Sequence, residues 1–258
     1  MISGPTFWLL AVLGLGIVGI SKGGFGGGLA IVGVPLLSVA IPVQQAAAIM
    51  LPCLILMDAA GLHGWWGRWS VTQLRRLIPA AMLGIVLGGL SFQVMTDDAL
   101  RILIGVIGVS FGLHWWAKHL GYLAQTDRPP PGALRTAFWA SVSGFTSFSV
   151  HAGGPPLQVA LLPQRLAPEV YAATTVVFFT AVNLAKVLPY YWLDQFSQEV
   201  LWTALILAPV GPLGVRVGIY LNQKISDLWF YRLCYFGLVL TSARVLFTGL
   251  TNQFGNPF

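Results

Sequence analysis

Gly19-Ile20-Ser21-Lys22-Gly23-Gly24-Phe25-Gly26-Gly27-Gly28 closes the apolar run Phe7–Ile20 and precedes a second apolar run over 29–41. Six glycines in ten residues free the backbone and cost helix stability, so the stretch predicts a place where a helix unwinds. Their other use would be close packing of small residues between helices. A second break reads Ser147-Phe148-Ser149-Val150-His151-Ala152-Gly153-Gly154-Pro155-Pro156, between apolar runs over 133–149 and 155–166. Its two prolines suit the first turn of a following helix.

The composition says what surrounds these breaks. Of 258 residues, 56% are hydrophobic and 9% charged, with a mean hydropathy of +0.77. A soluble domain carries about 25% charged residues, so too few are present to cover a water-facing globule. A bilayer removes that need. Stretches such as Leu201–Val210 and Leu77–Leu90 are apolar almost throughout, unlike the alternating strands of a membrane barrel. The chain is therefore expected to be an all-α polytopic membrane protein. Its net charge of +6 fits basic cytoplasmic loops, and no basic run with stacking aromatics points to nucleic acid. Cys53 and Cys234 lie in apolar segments, which predicts neither a disulfide framework nor a metal site. No cofactor is called for. The N-terminus has no charged n-region or clear cleavage site, so Phe7–Ile20 is expected to be retained.

Further apolar runs cover 45–65, 72–93, 99–117, 168–192, 199–221 and 228–250, with Trp65, Trp66 and Trp69, Trp115 and Trp116, and Tyr190, Tyr191 and Trp192 at their ends. Such clusters mark headgroup level. The two halves repeat. Adding 126 matches Ser21 with Ser147, Gly27 and Gly28 with Gly153 and Gly154, Pro42 with Pro168, and Trp66 with Trp192. Adding 130 matches Leu77, Pro79, Leu83, Gly84 and Gly88 with Leu207, Pro209, Leu213, Gly214 and Gly218. This predicts a first repeat over 1–120, a cytoplasmic linker over 121–132 holding Pro129-Pro130-Pro131, and a second repeat over 133–258.

Charge predicts the topology. Arg68, Arg75 and Arg76 in one loop, and Lys118, Arg128 and Arg135 in another, are assigned to the cytoplasm; the turn at Asp97 and Asp98 lies outside. The second-half counterpart of the 66–71 loop, over 193–199, holds Asp194 and Glu199 and no Lys or Arg. Equivalent loops then face opposite sides, which predicts inverted-topology repeats. The four runs beside the breaks fall short of the roughly 20 residues a span requires. Each pair is read as a re-entrant hairpin, which leaves three transmembrane helices per half and places both termini in the periplasm.

Two broken helices meeting at their tips would aim helix N-termini and free N–H groups at one place, a site for an anion. The candidate binding residues are Ser21, Lys22, Gly23, Gly24, Gly26, Gly27, Gly28, Ser147, Ser149, His151, Gly153 and Gly154. Lys22 lies too deep in its segment to favour snorkelling, while His151 could equally satisfy a carbonyl. Asp58, Lys186, Asn183 and His151 are candidates for proton coupling, since an isolated ionisable group in a span is costly and His titrates near neutrality. Arg216 and Arg244, near span ends, are expected to snorkel. A nucleotide-binding loop is excluded, because no Gly-Lys-Ser/Thr occurs. No Ser/His pair at catalytic spacing and no His-x-x-x-His pair supports an enzyme.

The Ser21-to-Gly28 break with Val34-Pro35-Leu36-Leu37, and the His151-Ala152-Gly153-Gly154-Pro155-Pro156 run, resemble the two signatures of the TauE/SafE family. The resemblance covers nearly the whole chain. It implies export of sulfite, organosulfonates or related sulfur oxyanions across the bacterial inner membrane, coupled to an ion gradient. The second break departs from the first, with Phe148 in register with Lys22. The expected partners are a small anion, protons or another coupling ion, and the bilayer; an anion channel and a small-carboxylate carrier are the alternatives.

Overall fold

A computed structural model describes residues 4–24, 30–92, 94–122, 132–222 and 227–255. Among these the structure is helical, with no strand. The helices are α1 (Pro5–Gly24), α2 (Gly33–Ser38), α3 (Val43–Gly64), α4 (Val71–Phe92), α5 (Asp97–His119), α6 (Ala133–Val150), α7 (Gly154–Leu161), α8 (Pro168–Trp192), α9 (Gln198–Leu207), α10 (Val210–Asn222) and α11 (Asp227–Phe254).

Local sequence accounts for these limits. Thr96 caps α5 by accepting from the Ala99 N–H at 3.2 Å, and Ser197 caps α9 by accepting from Val200 at 3.3 Å. Asp97 and Asp98 in the first turn of α5, with Lys118 and His119 in its last, complement the helix dipole. Pro52, Pro79 and Pro189 lie inside α3, α4 and α8. Each removes one helical N–H and crowds the carbonyl four residues earlier.

Among the described residues, six helices are long and apolar enough to cross a membrane: Pro5–Gly23, Val43–Gly64, Val71–Phe92, Asp97–His119, Glu169–Trp192 and Gln198–Gly218. The chain is a multi-pass membrane protein. Leu83, Val86, Leu87 and Leu90 on α4, and Leu201, Trp202, Leu205 and Ile206 on α9, are exposed. So much outward apolar surface suits lipid, not water.

The first apolar segment differs from its expected bounds of 6–20. Its helix is 20 residues long and carries through Ser21, Lys22 and Gly23. Packing gives the reason: a Cβ on Gly23 would overlap the Val215 backbone, and one on Gly19 would stand 2.6 Å from the Gly211 carbonyl oxygen. These two glycines seat α1 directly on α10. The expected run over 199–221 is likewise divided into α9 and α10 at Ala208 and Pro209.

The close approaches also give relative directions. Gly19 and Gly23 of α1 back onto α10 at Gly211 and Val215, so the two run parallel. Gly84 meets Ser141 and Phe145 and Gly88 meets Phe148, so α4 and α6 run parallel too. By contrast α5 and α11 are antiparallel, with Gly105 against Leu246, Gly108 against Ser242 and Gly112 against Val239. Antiparallel α3 and α8 bring Asp58 to Asn183 and Gly61 to Val176. The short α2 folds back on α1, since Gly14 meets Leu37 and Gly33 meets Val18. Similarly α7 returns along α6, leaving Gln164 beyond its end 3.5 Å from Thr136 near the start of α6. Of the six apolar spans, α3 is the most enclosed.

Candidate functional site

The side chains that chemistry can use collect around α3. Lys22, near the end of α1, forms an ion pair with Oδ1 of Asp58 on α3. Asn183 Nδ2 on α8 donates to the other carboxylate oxygen at 2.6 Å. One turn further along α8 is Lys186, fully enclosed. Its ammonium donates to the Ser147 carbonyl at 3.0 Å, to Ser147 Oγ at 3.1 Å and to His151 Nδ1 at 2.7 Å. Three acceptors match the three hydrogens of an ammonium.

His151 is the link across the site. Its Nε2 lies 2.8 Å from the Ala47 carbonyl oxygen of α3. A carbonyl only accepts, so Nε2 carries the hydrogen and Nδ1 offers a lone pair to Lys186. The imidazole thus bridges α3 and α8, with one ring nitrogen on each partner. Its backbone has φ of 53°, in the left-handed region that costs a non-glycine residue roughly 1–2 kcal/mol. The position ends α6, where the His151 and Ala152 N–H groups bond the Ser147 and Thr146 carbonyls. Strain of this kind persists where surrounding contacts over-determine it.

The charges do not balance. Lys22 and Lys186 face one carboxylate, Asp58, and Lys22 and Asp58 are both within electrostatic reach of Lys186. The other acidic residues of the described chain lie at helix ends: Asp97, Asp98, Glu169, Asp194, Glu199 and Asp227. Counted as ammonium ions, the two lysines thus outnumber the one carboxylate among the described residues of the interior, and a buried charge demands compensation.

An aromatic group separates this cluster from the end of the bundle where α4 and α8 finish. Phe92, Phe148 and Tyr190 are fully or almost fully buried. Phe148 meets Phe92 edge-on at 5.6 Å and Tyr190 at 5.2 Å, while Phe92 stacks on Tyr190 at 6.1 Å. Tyr190 Oη donates to the Phe148 carbonyl at 2.7 Å, and its ring stacks on His151 at 6.3 Å. Beyond Phe92 opens a polar mouth of about 340 Å³ lined by Gln44, Phe92, Trp192, Leu193, Asp194 and Gln195.

Of the residues singled out from sequence, Lys22, Asp58, Ser147, His151, Asn183 and Lys186 meet in this cluster. Ser21 is buried one position before Lys22. Ser149 Oγ turns back to the Phe145 carbonyl at 3.0 Å. The Gly153 carbonyl accepts from Ser143 at 2.7 Å, and Gly154 starts α7. Gly24 ends α1, whereas Gly26, Gly27 and Gly28 lie outside the described residues. Arg216 and Arg244 are exposed.

Sequence reasoning missed Ala47 and Tyr190. Pro52, inside α3 and without an N–H for the Ala48 carbonyl, was the nearest available signal to Ala47. Tyr190 was grouped with Tyr191 and Trp192 at the headgroup level, yet it is enclosed while they are 68% and 70% exposed. The spacing Asn183, Lys186, Tyr190 follows one helical face, and that period held the signal.

A family model described as sulfite exporter TauE/SafE matches residues 10–245. Comparison with curated proteins and with solved structures gives no match.

Proposed function

The chain belongs to the TauE/SafE family of sulfite exporters, which are membrane transporters, and on that premise we propose a secondary carrier. Its substrate is a small sulfur oxyanion, sulfite or a sulfonate, exported across the bacterial inner membrane. The observation that carries this reading is the gathering of two enclosed lysines, Lys22 and Lys186, about the single carboxylate of Asp58. The anion sits between Lys22 and the His151–Lys186 pair, with Ser21, Ser147, Ser149 and the glycines at 23, 24, 26–28, 153 and 154 shaping the surrounding turns.

The architecture we propose is two inverted repeats, 1–120 and 133–258, joined by the cytoplasmic segment 121–132. It is supported by helix direction. Taking α3 as ascending, the parallel and antiparallel contacts and the short turns make α1, α5, α9 and α10 ascend. The same contacts make α4, α6, α8 and α11 descend. Every helix then opposes its repeat counterpart, and α1–α2 and α6–α7 act as re-entrant hairpins. The basic loops at Arg68 and Lys118 go to the cytoplasm, which leaves both termini and the polar mouth periplasmic.

Transport proceeds by alternating access around the cluster. Phe92, Phe148 and Tyr190 close the route to the mouth and must part to release the anion. Proton coupling runs through His151 and Lys186, which share one hydrogen across 2.7 Å, with Asp58 and Asn183 as the adjoining polar pair.

Purified protein in proteoliposomes tests the reading. Saturable sulfite flux, increased by an opposing proton gradient and lost in Lys22→Ala at intact folded yield, is the expected result. Ohmic anion conductance would replace the carrier with a channel. Flux of small carboxylates without sulfite would replace the substrate. Reporters in loops 66–71 and 193–199 should face opposite sides, and matching signals would remove the inverted arrangement.

A further inference from the structure

A second cavity, of about 420 Å³, opens between α4 and α8 beside the polar mouth. Its wall includes Met82, Ile85, Gly89, Ala185, Pro189 and Trp192, and no charged side chain lines it. Its rim is formed by Val86 and Leu90, which are 58% and 72% exposed on the lipid-facing side of α4. Gly89 deepens the floor: a Cβ there would lie 3.6 Å from the Phe148 ring and 3.9 Å from Pro189. The groove therefore reaches from the membrane to the outer side of the aromatic closure.

The groove and the mouth share Trp192 and Leu193. One compartment is wholly apolar; the other is polar and carries the Asp194 carboxylate with the Gln44 and Gln195 amides and no Lys or Arg. The mouth lies at the C-terminal ends of α4 and α8 and at the N-terminal end of α3, so the helix dipoles offset one another and the Asp194 carboxylate sets its charge. A water-soluble cation has no use for the apolar extension. Trp192, at the junction, has the amphipathic ring that suits headgroup level.

We propose that this paired site holds one aminophospholipid, with an acyl chain in the α4–α8 groove and its ammonium group at Asp194. The lipid comes from the leaflet that borders the end of α8. Its chain rests on Gly89 and Pro189, with the Phe148 ring behind Gly89, so the occupant supports the closed arrangement of Phe92, Phe148 and Tyr190 from the membrane side.

The test uses full-length protein in nanodiscs containing phosphatidylethanolamine with a photoactivatable acyl chain, and maps the labelled peptides. The expected labels fall on 82–90 and 185–193. Unlabelled phosphatidylethanolamine should compete better than phosphatidylglycerol by roughly two- to fivefold, the range set by a partly exposed ion pair. Gly89→Leu, whose Cβ has room and whose side chain fills the groove, should suppress labelling. Asp194→Asn should equalise the two lipids; Asn tolerates the backbone φ of 51° at this position. Each variant is checked for a monodisperse elution profile, and Asp194→Asn carries the test alone if Gly89→Leu fails to fold. Labels spread evenly over lipid-facing helices, labelling unchanged by Gly89→Leu, or a headgroup preference that survives Asp194→Asn would each overturn the proposal.

Discussion

Neutralising the Lys22–Asp58 pair one member at a time, and then together, separates folding from anion binding. Asp58 is enclosed and Lys22 nearly so, with side chains 2% and 9% exposed. Lys22→Met leaves a buried carboxylate with Asn183 as its remaining hydrogen-bond partner. Removing one partner of a buried pair costs about 3–5 kcal/mol. For a chain of this size each kcal/mol moves the melting temperature by roughly 2–4 °C, which gives a loss of about 6–20 °C. Asp58→Asn should cost a similar amount, because it leaves two lysines without a counter-ion. The double variant strands Lys186 alone, and neutral replacement of the Lys22–Asp58 pair is itself often close to neutral in stability. Its melting temperature should rise above that of either single variant.

Anion binding should follow a different order, set by the surplus charge. Saturating sulfite, at about 100 times its dissociation constant, stabilises by about 2.7 kcal/mol, a rise of roughly 5–10 °C. That rise should persist in Asp58→Asn, vanish in Lys22→Met and partly return in the double variant. Thermal unfolding followed by intrinsic fluorescence, with and without sulfite, reads both orders. A double variant destabilised by the sum of the single changes would refute the pairing. An undiminished sulfite response in Lys22→Met would refute the role of surplus charge.

Two glycines on one helix should respond oppositely. Gly19→Ala places a methyl group against the Gly211 carbonyl and should cost about 1–3 kcal/mol by overpacking, while Gly16→Ala meets open space and should gain up to about 1 kcal/mol of helix propensity. Melting temperatures decide it. Tyr190→Ala should expose a cysteine placed at Ser147 to a charged thiol reagent added on the mouth side, measured after both native cysteines are replaced; protection equal to that with Tyr190 present would refute the closure. His151→Asn keeps a residue suited to positive φ but is too short to bridge Ala47 and Lys186. Sulfite flux in this variant should lose its response to an opposing proton gradient while the sulfite-induced thermal shift remains.

Low charge, long apolar runs and the two glycine-rich breaks made a helical membrane protein legible without coordinates. Lys22, Asp58 and Lys186 stood out because ionisable groups are costly in lipid, and Asn183 because it lies one turn before Lys186. Their pairing was not legible: Lys22 and Asp58 are 36 residues apart, and Asp58 and Asn183 are 125 apart. Only helix packing brings them together. Glycine misled in the other direction. Gly23 was read as part of an unwound stretch, whereas it is helical and fits α1 to α10. A glycine that loosens a backbone and a glycine that admits a neighbour look alike until the neighbour is known. Tyr190 was hidden by two exposed aromatics that follow it.

The glycine-backed seams have a mechanical consequence. The first helix of each half is locked to a helix of the other, α1 to α10 and α6 to α4, at separations that leave no room for a methyl group. The stretches 1–120 and 133–258 are therefore not the pieces that can slide. Drawing the two halves apart would tear both seams at once, whereas α1 with α10 and α4 with α6 can each travel as a bonded block. Each block is built like a meshed pair of gears, with one helix from before the 121–132 segment and one from after it.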